Sequence, residues 1–422
     1  MRQRAFWVGL IVVLQIVVGV FWWSPPALAL TEEQKLVSEV WRIVNRSYVD
    51  DTFNHQNWWR VRQQALKERM TDRQQAYDVI EKMLARLDDP FTRLLRPQQY
   101  KTLQVSTSGE LTGVGLQIAI DSETKNLEAI APIAGTPAEF AGIQPKDLIL
   151  NIDGVPTTQL TLEEAATRMR GPVGSHVVLR VQRHSDRQIK DLDLVRDRIA
   201  INPVYADLRT LDDKTDRQVG YIRLTQFSAN ATSEMTRALE DLEERGADAY
   251  VLDLRNNPGG LLQAGIEIAR LWLEDRTIVY TVNRQAILGS FEATDSALTD
   301  DPLVVLVNQG TASASEILAG ALQDNERATL VGARTFGKGL IQSLFDLSDN
   351  AGLAVTVARY ETPSHKDINK LGITPDFEIE PEALTRDIVA TSKDKSYQTA
   401  IDWLTRQGLV ASTTSLPQAA KN

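Results

Sequence analysis

Two stretches of the chain, AYVLDLRNNPGGLLQAGIEIARLWL from Ala249 and PLVVLVNQGTASASEILAGALQD from Pro302, share one design. Each opens with a continuous apolar run, passes through a polar turn containing glycine, and continues with apolar residues at helical spacing. A short run that is apolar at every position predicts a buried strand. Strand, turn and helix used twice in succession predict one domain built from a repeated unit.

The rest of the 422 residues arranges other segments around that domain, and the length allows two or three cores. Residues 31–104 read as helices. Leu36, Val40, Ile43 and Val44, with Tyr48 a turn later, repeat at helical spacing. A second amphipathic stretch, QQAYDVIEKMLARL, halts before Asp88-Asp89-Pro90, where proline stops it. From Val105 the pattern changes to short β-type runs: GVGLQIAI, NLEAIAPI, DLILNIDGVP and SHVVLRVQR, separated by turns such as Asp153-Gly154. Short helices fit at Pro137–Ala141 and Leu162–Met169, so this part predicts a small β-barrel module. Beyond residue 385, YQTAIDWLTRQ predicts one more helix and TTSLPQAAKN a polar, unstructured tail.

The N-terminus carries an address. A basic Met1-Arg-Gln-Arg4 precedes FWVGLIVVLQIVVGVFWW, and the following SPPALAL contains the small-residue cleavage pattern Ala27-Leu28-Ala29. Residues 1–29 therefore read as a signal peptide and the mature chain starts at Leu30. The alternative is an uncleaved anchor, since the apolar run is just long enough to span a bilayer. The absence of cysteine excludes disulfides, thiolate nucleophiles and cysteine-held metals. A net charge of −10 argues against nucleic acid as a partner, because phosphates select a basic face.

Chemistry concentrates in three motifs. In NQGTASASEILAGAL, Ser313-x-x-Glu316 matches a helix capping box, which is the simpler reading of that serine taken alone. A serine at a helix N-terminus also meets oriented amides and a dipole that favour developing negative charge. Its hydroxyl needs a base, and His55, His176, His184 and His365 stand in no catalytic setting. TFGKGLIQ offers another base. Gly332-x4-Gly337-Lys338 misses the phosphate-loop pattern, because Gly339 replaces the required Ser or Thr and a strand follows. A lysine between two glycines has little side-chain cover, and an amine kept neutral by burial can serve a serine as general base. In LDLRNNPGG, Asp253 and Arg255 close an apolar strand and Pro258-Gly259-Gly260 exposes amides before a helix, which suits either an oxyanion hole or a plain tight turn.

Taken in order, with DDPFTRLL at 88–95 and GITPDFEI at 372–379, these motifs resemble the carboxyl-terminal processing peptidases, also called tail-specific proteases. The likeness runs over nearly the whole mature chain, and GTASASEILAGAL followed by TFGKGLIQ is its most specific part. The resemblance implies Ser313 as nucleophile, with Ser315 structural, and Lys338 as general base. It further implies Gln342 orienting the lysine and the amides of Gly259 and Ala314 as the oxyanion hole. Asp253, Arg255 and Glu316 match supporting polar positions. No metal and no cofactor is implied.

The β module resembles a permuted PDZ domain. Its Gly113, Val114, Gly115 and Leu116 look like the turn that binds a terminal carboxylate ahead of a strand that pairs with peptide, and Arg170 matches a position that senses the bound tail. The expected fold is then multidomain α+β. A signal peptide (1–29) precedes an N-terminal helical domain (30–104) and a PDZ domain (105–185). A ClpP/crotonase-like catalytic α/β domain (186–385) follows, and a C-terminal helix and tail (386–422) close the chain.

The function the resemblance implies is that of an exported serine endopeptidase cleaving near the C-terminus of a protein recognised by its free tail. The pattern looks closest to the cyanobacterial and chloroplast members. That makes the photosystem II reaction-centre precursor the expected partner and the thylakoid lumen or periplasm the expected place. Membrane proximity would come through the substrate or an uncleaved signal. The alternative within the family is a general protease trimming or degrading other exported proteins. A non-catalytic PDZ scaffold would be expected to lack Ser313 or Lys338, and a crotonase-type acyl-CoA enzyme would have no use for a PDZ module or an export signal.

Overall fold

The computed structural model describes residues 30–121, 126–212, 217–285, 287–294, 297–381, 384–385 and 388–414. The expected signal segment and the end of the expected tail, 415–422, lie outside them. Among the described residues no helix is long and apolar enough to cross a membrane.

The chain forms two compact units, one running to Arg96 and including Leu344–Val355, the other comprising Pro97–Ser343 and Thr356 onward. In the first, three helices span Glu32–Ser47, Trp58–Ala65 and Arg73–Leu84, each opened by a side-chain cap from Thr31, Asn57 or Asp72. Of the expected apolar spacing, Leu36, Val40, Val44 and Tyr48 are buried and Ile43 is half-buried. The short strand Arg93–Leu95 pairs antiparallel with Gly352 to Ala354, and the Tyr77 hydroxyl donates to Asp349 at 2.8 Å.

In the second unit the repeated design is realised as two neighbouring parallel strands, Ala249–Asp253 and Leu303–Val307, in register Tyr250 to Leu303. Each leads through its turn into a helix, Leu262–Arg270 or Ala314–Asp324. Around them lies a sheet ordered Val204–Asp212, Arg217–Leu224, Ala249–Asp253, Leu303–Val307, Ala328–Gly332, Phe377–Glu378, parallel except for the first pair. Both faces are covered, which explains the uninterrupted apolar runs. Tyr250, Leu252, Leu303 and Val305 join a core with helix residues Met235, Leu239, Ile268 and Leu318. The alternate residues Val251, Val304 and Leu306 meet Tyr397, Ala400 and Leu404 of the helix Lys395–Thr414. That helix extends past the expected Gln407 and takes in the first residues of the predicted tail.

The β module of this unit is an antiparallel sheet ordered Leu116–Ile120, Leu127–Pro132, Leu148–Ile152, His176–Gln182, Ile189–Val195. Helices Pro137–Phe140 and Leu162–Met169 form where the sequence places them. Glu110–Gly113 pairs separately with Asp197–Ala200.

Candidate active site

Every residue from Thr311 to Leu322 is buried except Ser313, which is half-buried. Ser313 stands between the strand Leu303–Val307 and the helix Ala314–Asp324, with φ 59° and ψ −118°. A non-glycine residue there costs about 1–3 kcal/mol and persists only where its surroundings hold it. Three contacts do so. The Ser313 amide donates to the Glu316 carboxylate at 2.9 Å, the Tyr360 hydroxyl donates to the Ser313 carbonyl at 3.2 Å, and the Ala312 amide donates to the Asn257 carbonyl at 3.0 Å. Burial pushes the Tyr360 phenol well above its ordinary value, and the charge of Glu316 adds to this, so the hydroxyl stays a donor. The Ala314 amide, first in the helix, meets no acceptor among the described residues.

Glu316, fully buried, joins this turn to the lysine loop. Its Oε1 accepts from the Thr335 hydroxyl at 2.6 Å and the Gly337 amide at 2.7 Å. Its Oε2 accepts from the Ser313 amide at 2.9 Å and the Lys338 amide at 2.8 Å. One oxygen thus holds the backbones of both residues, whose amide nitrogens can be no farther apart than those two bonds laid end to end. The glycines around Lys338 have a packing reason. A Cβ on Gly337 would meet the Gly372 amide at 2.9 Å, and one on Gly339 the Asn369 amide at 2.7 Å. The loop is pressed against residues 369–372, which lead into the GITP segment, and Lys338 itself is half-buried. Gln342 follows on the strand Leu340–Asp346, its Nε2 buried without a hydrogen-bond partner among the described residues.

The glycine turn lies against the serine turn. At Gly259 φ is +93°, and an added Cβ would fall 2.6 Å from the Ala312 carbonyl oxygen and 2.9 Å from both the Ala314 nitrogen and Ser313 Cβ. Only glycine allows that approach. The Gly259 amide donates to Asn257 Oδ1 at 2.9 Å. Ser315 is structural, its hydroxyl donating to the Asn257 carbonyl at 3.0 Å.

Asp253 and Arg255 are engaged with one another, with Asp394 and with Tyr221. Arg255 binds Asp253 at 2.6 Å and Asp394 at 2.8 Å, and the Tyr221 hydroxyl donates to Asp253 at 2.8 Å, all of them buried. For Asp394, burial alone pushes the carboxyl up, but hydrogen bonds and charge from Arg255, with amides of Ala390 and Tyr397, bring it below its ordinary value. This cluster ties the strand end to the segment that starts the last helix.

In the β module, Gly113, Val114, Gly115, Leu116 and Arg170 line one cavity of about 90 Å³ beside Met169. The carbonyls of Val114 and Gly115 accept from the Ala138 and Ile133 amides, both at 2.8 Å, while their own amides bind no described residue. Gly115, at φ +73°, has no room for a Cβ, which would lie 2.4 Å from Thr136. Leu111, Thr112 and Arg170 also line a neighbouring cavity of about 350 Å³ that reaches Thr225, Gln226 and Ser228. Among the described residues no cluster of metal ligands occurs.

Asn257, Thr335, Tyr360 and Asp394 do work at these turns that sequence reasoning missed. Asn257 was visible in the NNPGG motif, where an Asx side chain two residues before a glycine signals a turn. Thr335 opens the TFGKGLIQ motif, but nothing local marks it as a partner of Glu316, and Tyr360 and Asp394 are distant in sequence and carry no local signal.

Comparison with known proteins accords with this arrangement. Residues 218–379 match peptidase family S41, and residues 129–183 match the PDZ domain family. The chain is 58% identical over 420 residues to a carboxyl-terminal-processing protease of Synechocystis, covering 99% of this chain and 98% of that one. It is 47% identical to the chloroplastic carboxyl-terminal-processing peptidase 2 of Arabidopsis thaliana, over 86% of this chain and 72% of the other. A solved structure of a photosystem II D1 C-terminal processing protease superposes with a TM-score of 0.57 at 41% identity, over 86% of this chain and 98% of that one. A serine-bearing strand-turn-helix domain with a PDZ module, and identity of this extent, lead to one assignment: the chain belongs to peptidase family S41 and is a serine protease of the C-terminal processing kind.

Proposed function

We propose that this protease cleaves with Ser313 as nucleophile and Lys338 as general base. Ser313 Oγ attacks the substrate carbonyl carbon while its proton passes to the lysine amine. The tetrahedral intermediate collapses as that proton moves to the departing amine, the C–N bond breaks, and an ester remains on Ser313. Water, giving its proton to the same amine, adds to the ester, and Ser313 leaves with the proton returned. The Gly259 and Ala314 amides stabilise the oxyanion, Gln342 orients the lysine, and Glu316 sets the backbones of both reacting residues. Asp253 and Arg255 support the site at one remove, through the strand end that carries the glycine turn. The observation that carries this reading is Glu316 Oε2, one atom bonded to the amides of Ser313 and Lys338.

The substrate's free C-terminus binds the turn from Gly113 to Leu116, with Arg170 at the edge of that pocket sensing its presence. Export follows from the N-terminal signal segment. The named likeness to a photosystem II D1 processing protease supports the reaction-centre precursor as the natural substrate, in the thylakoid lumen or periplasm. No metal or cofactor takes part. The test is mass analysis of a peptide with a free C-terminus and its amidated twin, incubated with the wild type, S313A and K338M. Cleavage of the free peptide by the wild type alone is expected. Undiminished turnover by S313A or K338M refutes the chemistry, and equal cleavage of the amidated peptide refutes tail recognition.

A further inference from the structure

The Gly259 N–H that this mechanism needs is already in use. It is aimed at Asn257 Oδ1, 2.9 Å away, and a hydrogen bond made there cannot at the same time be directed at a substrate oxygen. Asn257 is fully buried. Its Nδ2 donates to the carbonyl of Leu224, the last residue of the strand Arg217–Leu224, at 2.8 Å. With a carbonyl facing its nitrogen and an amide facing its oxygen, the carboxamide has one satisfactory orientation. The backbone carbonyl of the same residue accepts from the Ala312 amide and the Ser315 hydroxyl, each at 3.0 Å. Its side chain therefore closes the glycine turn while its main chain holds the residues flanking Ser313 and Ala314.

We propose that Asn257 is the positioning residue of the oxyanion hole. It sets the Gly259 turn against the serine turn, and its Oδ1 keeps the Gly259 N–H until the substrate's oxyanion takes that hydrogen bond over. This rests on the Ser313 reading above. The exchange favours the transition state selectively. A bound peptide carbonyl is a neutral acceptor like Asn257 Oδ1, so transferring the bond to it gains nothing. A developing oxyanion makes a charge-assisted bond about twice as strong, so the transfer becomes favourable only as charge appears.

Two measurements on the full chain decide it. In a crystal structure of the wild type with a peptidyl boronic acid joined to Ser313 Oγ, Gly259 N should lie beyond about 3.5 Å from Asn257 Oδ1 and within hydrogen-bond distance of a boronate oxygen. A retained Gly259–Asn257 bond overturns the proposal while leaving Ser313 as nucleophile, and failure to form any adduct at Ser313 removes both readings.

The second is the pH dependence of N257D. Its carboxyl, when protonated, reproduces both hydrogen bonds of the amide, so kcat should approach the wild-type value at the acid end. As it ionises, it loses the donor to Leu224 and grips the Gly259 N–H more strongly. We expect kcat to fall about 10- to 100-fold with KM changed less than about threefold, on a limb the wild type lacks. A kcat profile parallel to the wild type, whatever the change in stability, overturns the proposal. If N257D does not fold, the boronate structure of the wild type decides.

Discussion

Replacing Glu316 with glutamine keeps its shape and removes one acceptor oxygen. Two donors converge on each oxygen: the Thr335 hydroxyl and Gly337 amide on one, the Ser313 and Lys338 amides on the other. Whichever side the new NH2 takes, it faces donors: on one side the buried Gly337 amide beside a Thr335 hydroxyl that can turn to accept, on the other the part-buried Ser313 and Lys338 amides. A stranded buried donor costs about 1–3 kcal/mol, and one or two are stranded, so E316Q should lose about 1–6 kcal/mol of stability. The loss falls on the contacts that align the lysine loop with the serine turn, and a misplacement of about 1 Å costs about 100-fold in rate. Stability is read by urea unfolding in an S313A background, where self-cleavage cannot interfere, and activity by peptide cleavage in the otherwise native chain. We expect kcat/KM to drop at least about 100-fold, mainly through kcat. Stability within about 0.5 kcal/mol of the parent together with turnover within about threefold would falsify the view that this carboxylate joins the two loops.

Three more outcomes follow from the same geometry. Gly259→Ala puts a Cβ 2.6 Å from the Ala312 carbonyl oxygen and 2.9 Å from Ser313 Cβ, so it should cut kcat/KM by about 100-fold or more, and near-normal turnover would show the two turns are not in close contact. Asp394→Asn leaves Arg255 with half of its buried partners and should cost about 3–5 kcal/mol at pH 7. Because the folded state lowers the Asp394 pKa, its stabilisation is complete above the unfolded value and disappears as pH falls through the folded one. The gap between wild type and D394N in urea should therefore close at acid pH, and a gap independent of pH would exclude the ion pair as its source. Gly115→Ala drives a Cβ to 2.4 Å from Thr136, so KM for a free-tailed peptide should rise about tenfold or more with kcat little changed. A KM equal to that of the wild type would remove this turn from tail binding.

Much of the architecture was legible because it is encoded locally. The apolar runs of Ala249–Asp253 and Leu303–Val307 announce buried strands, and the helices Pro137–Phe140 and Leu162–Met169 carry their own start signals. The expected pairing of a serine with an amine came from the resemblance to a family, not from any local pattern. Contacts between distant residues left no such trace. The sequence has no feature that joins Leu344–Val355 to the N-terminal helices, and Asp394 is an unremarkable acid until the fold sets it against Arg255. Ser315 and Ser313 look alike in the sequence, yet one hydroxyl is buried against Asn257 and the other is the half-buried exception in its segment.

By itself the sequence determined the elements, their order, and which glycines and polar residues sit at the turns, because period, caps and turn chemistry act over a few neighbouring residues. Only the tertiary structure decided how those turns meet: the left-handed backbone of Ser313, the carboxylate of Glu316 shared by two loops, and the Gly259 amide held by Asn257. Such positions depend on several buried hydrogen bonds closing together. No single residue specifies them, and they exist only once the sheet has brought the ends of its parallel strands side by side.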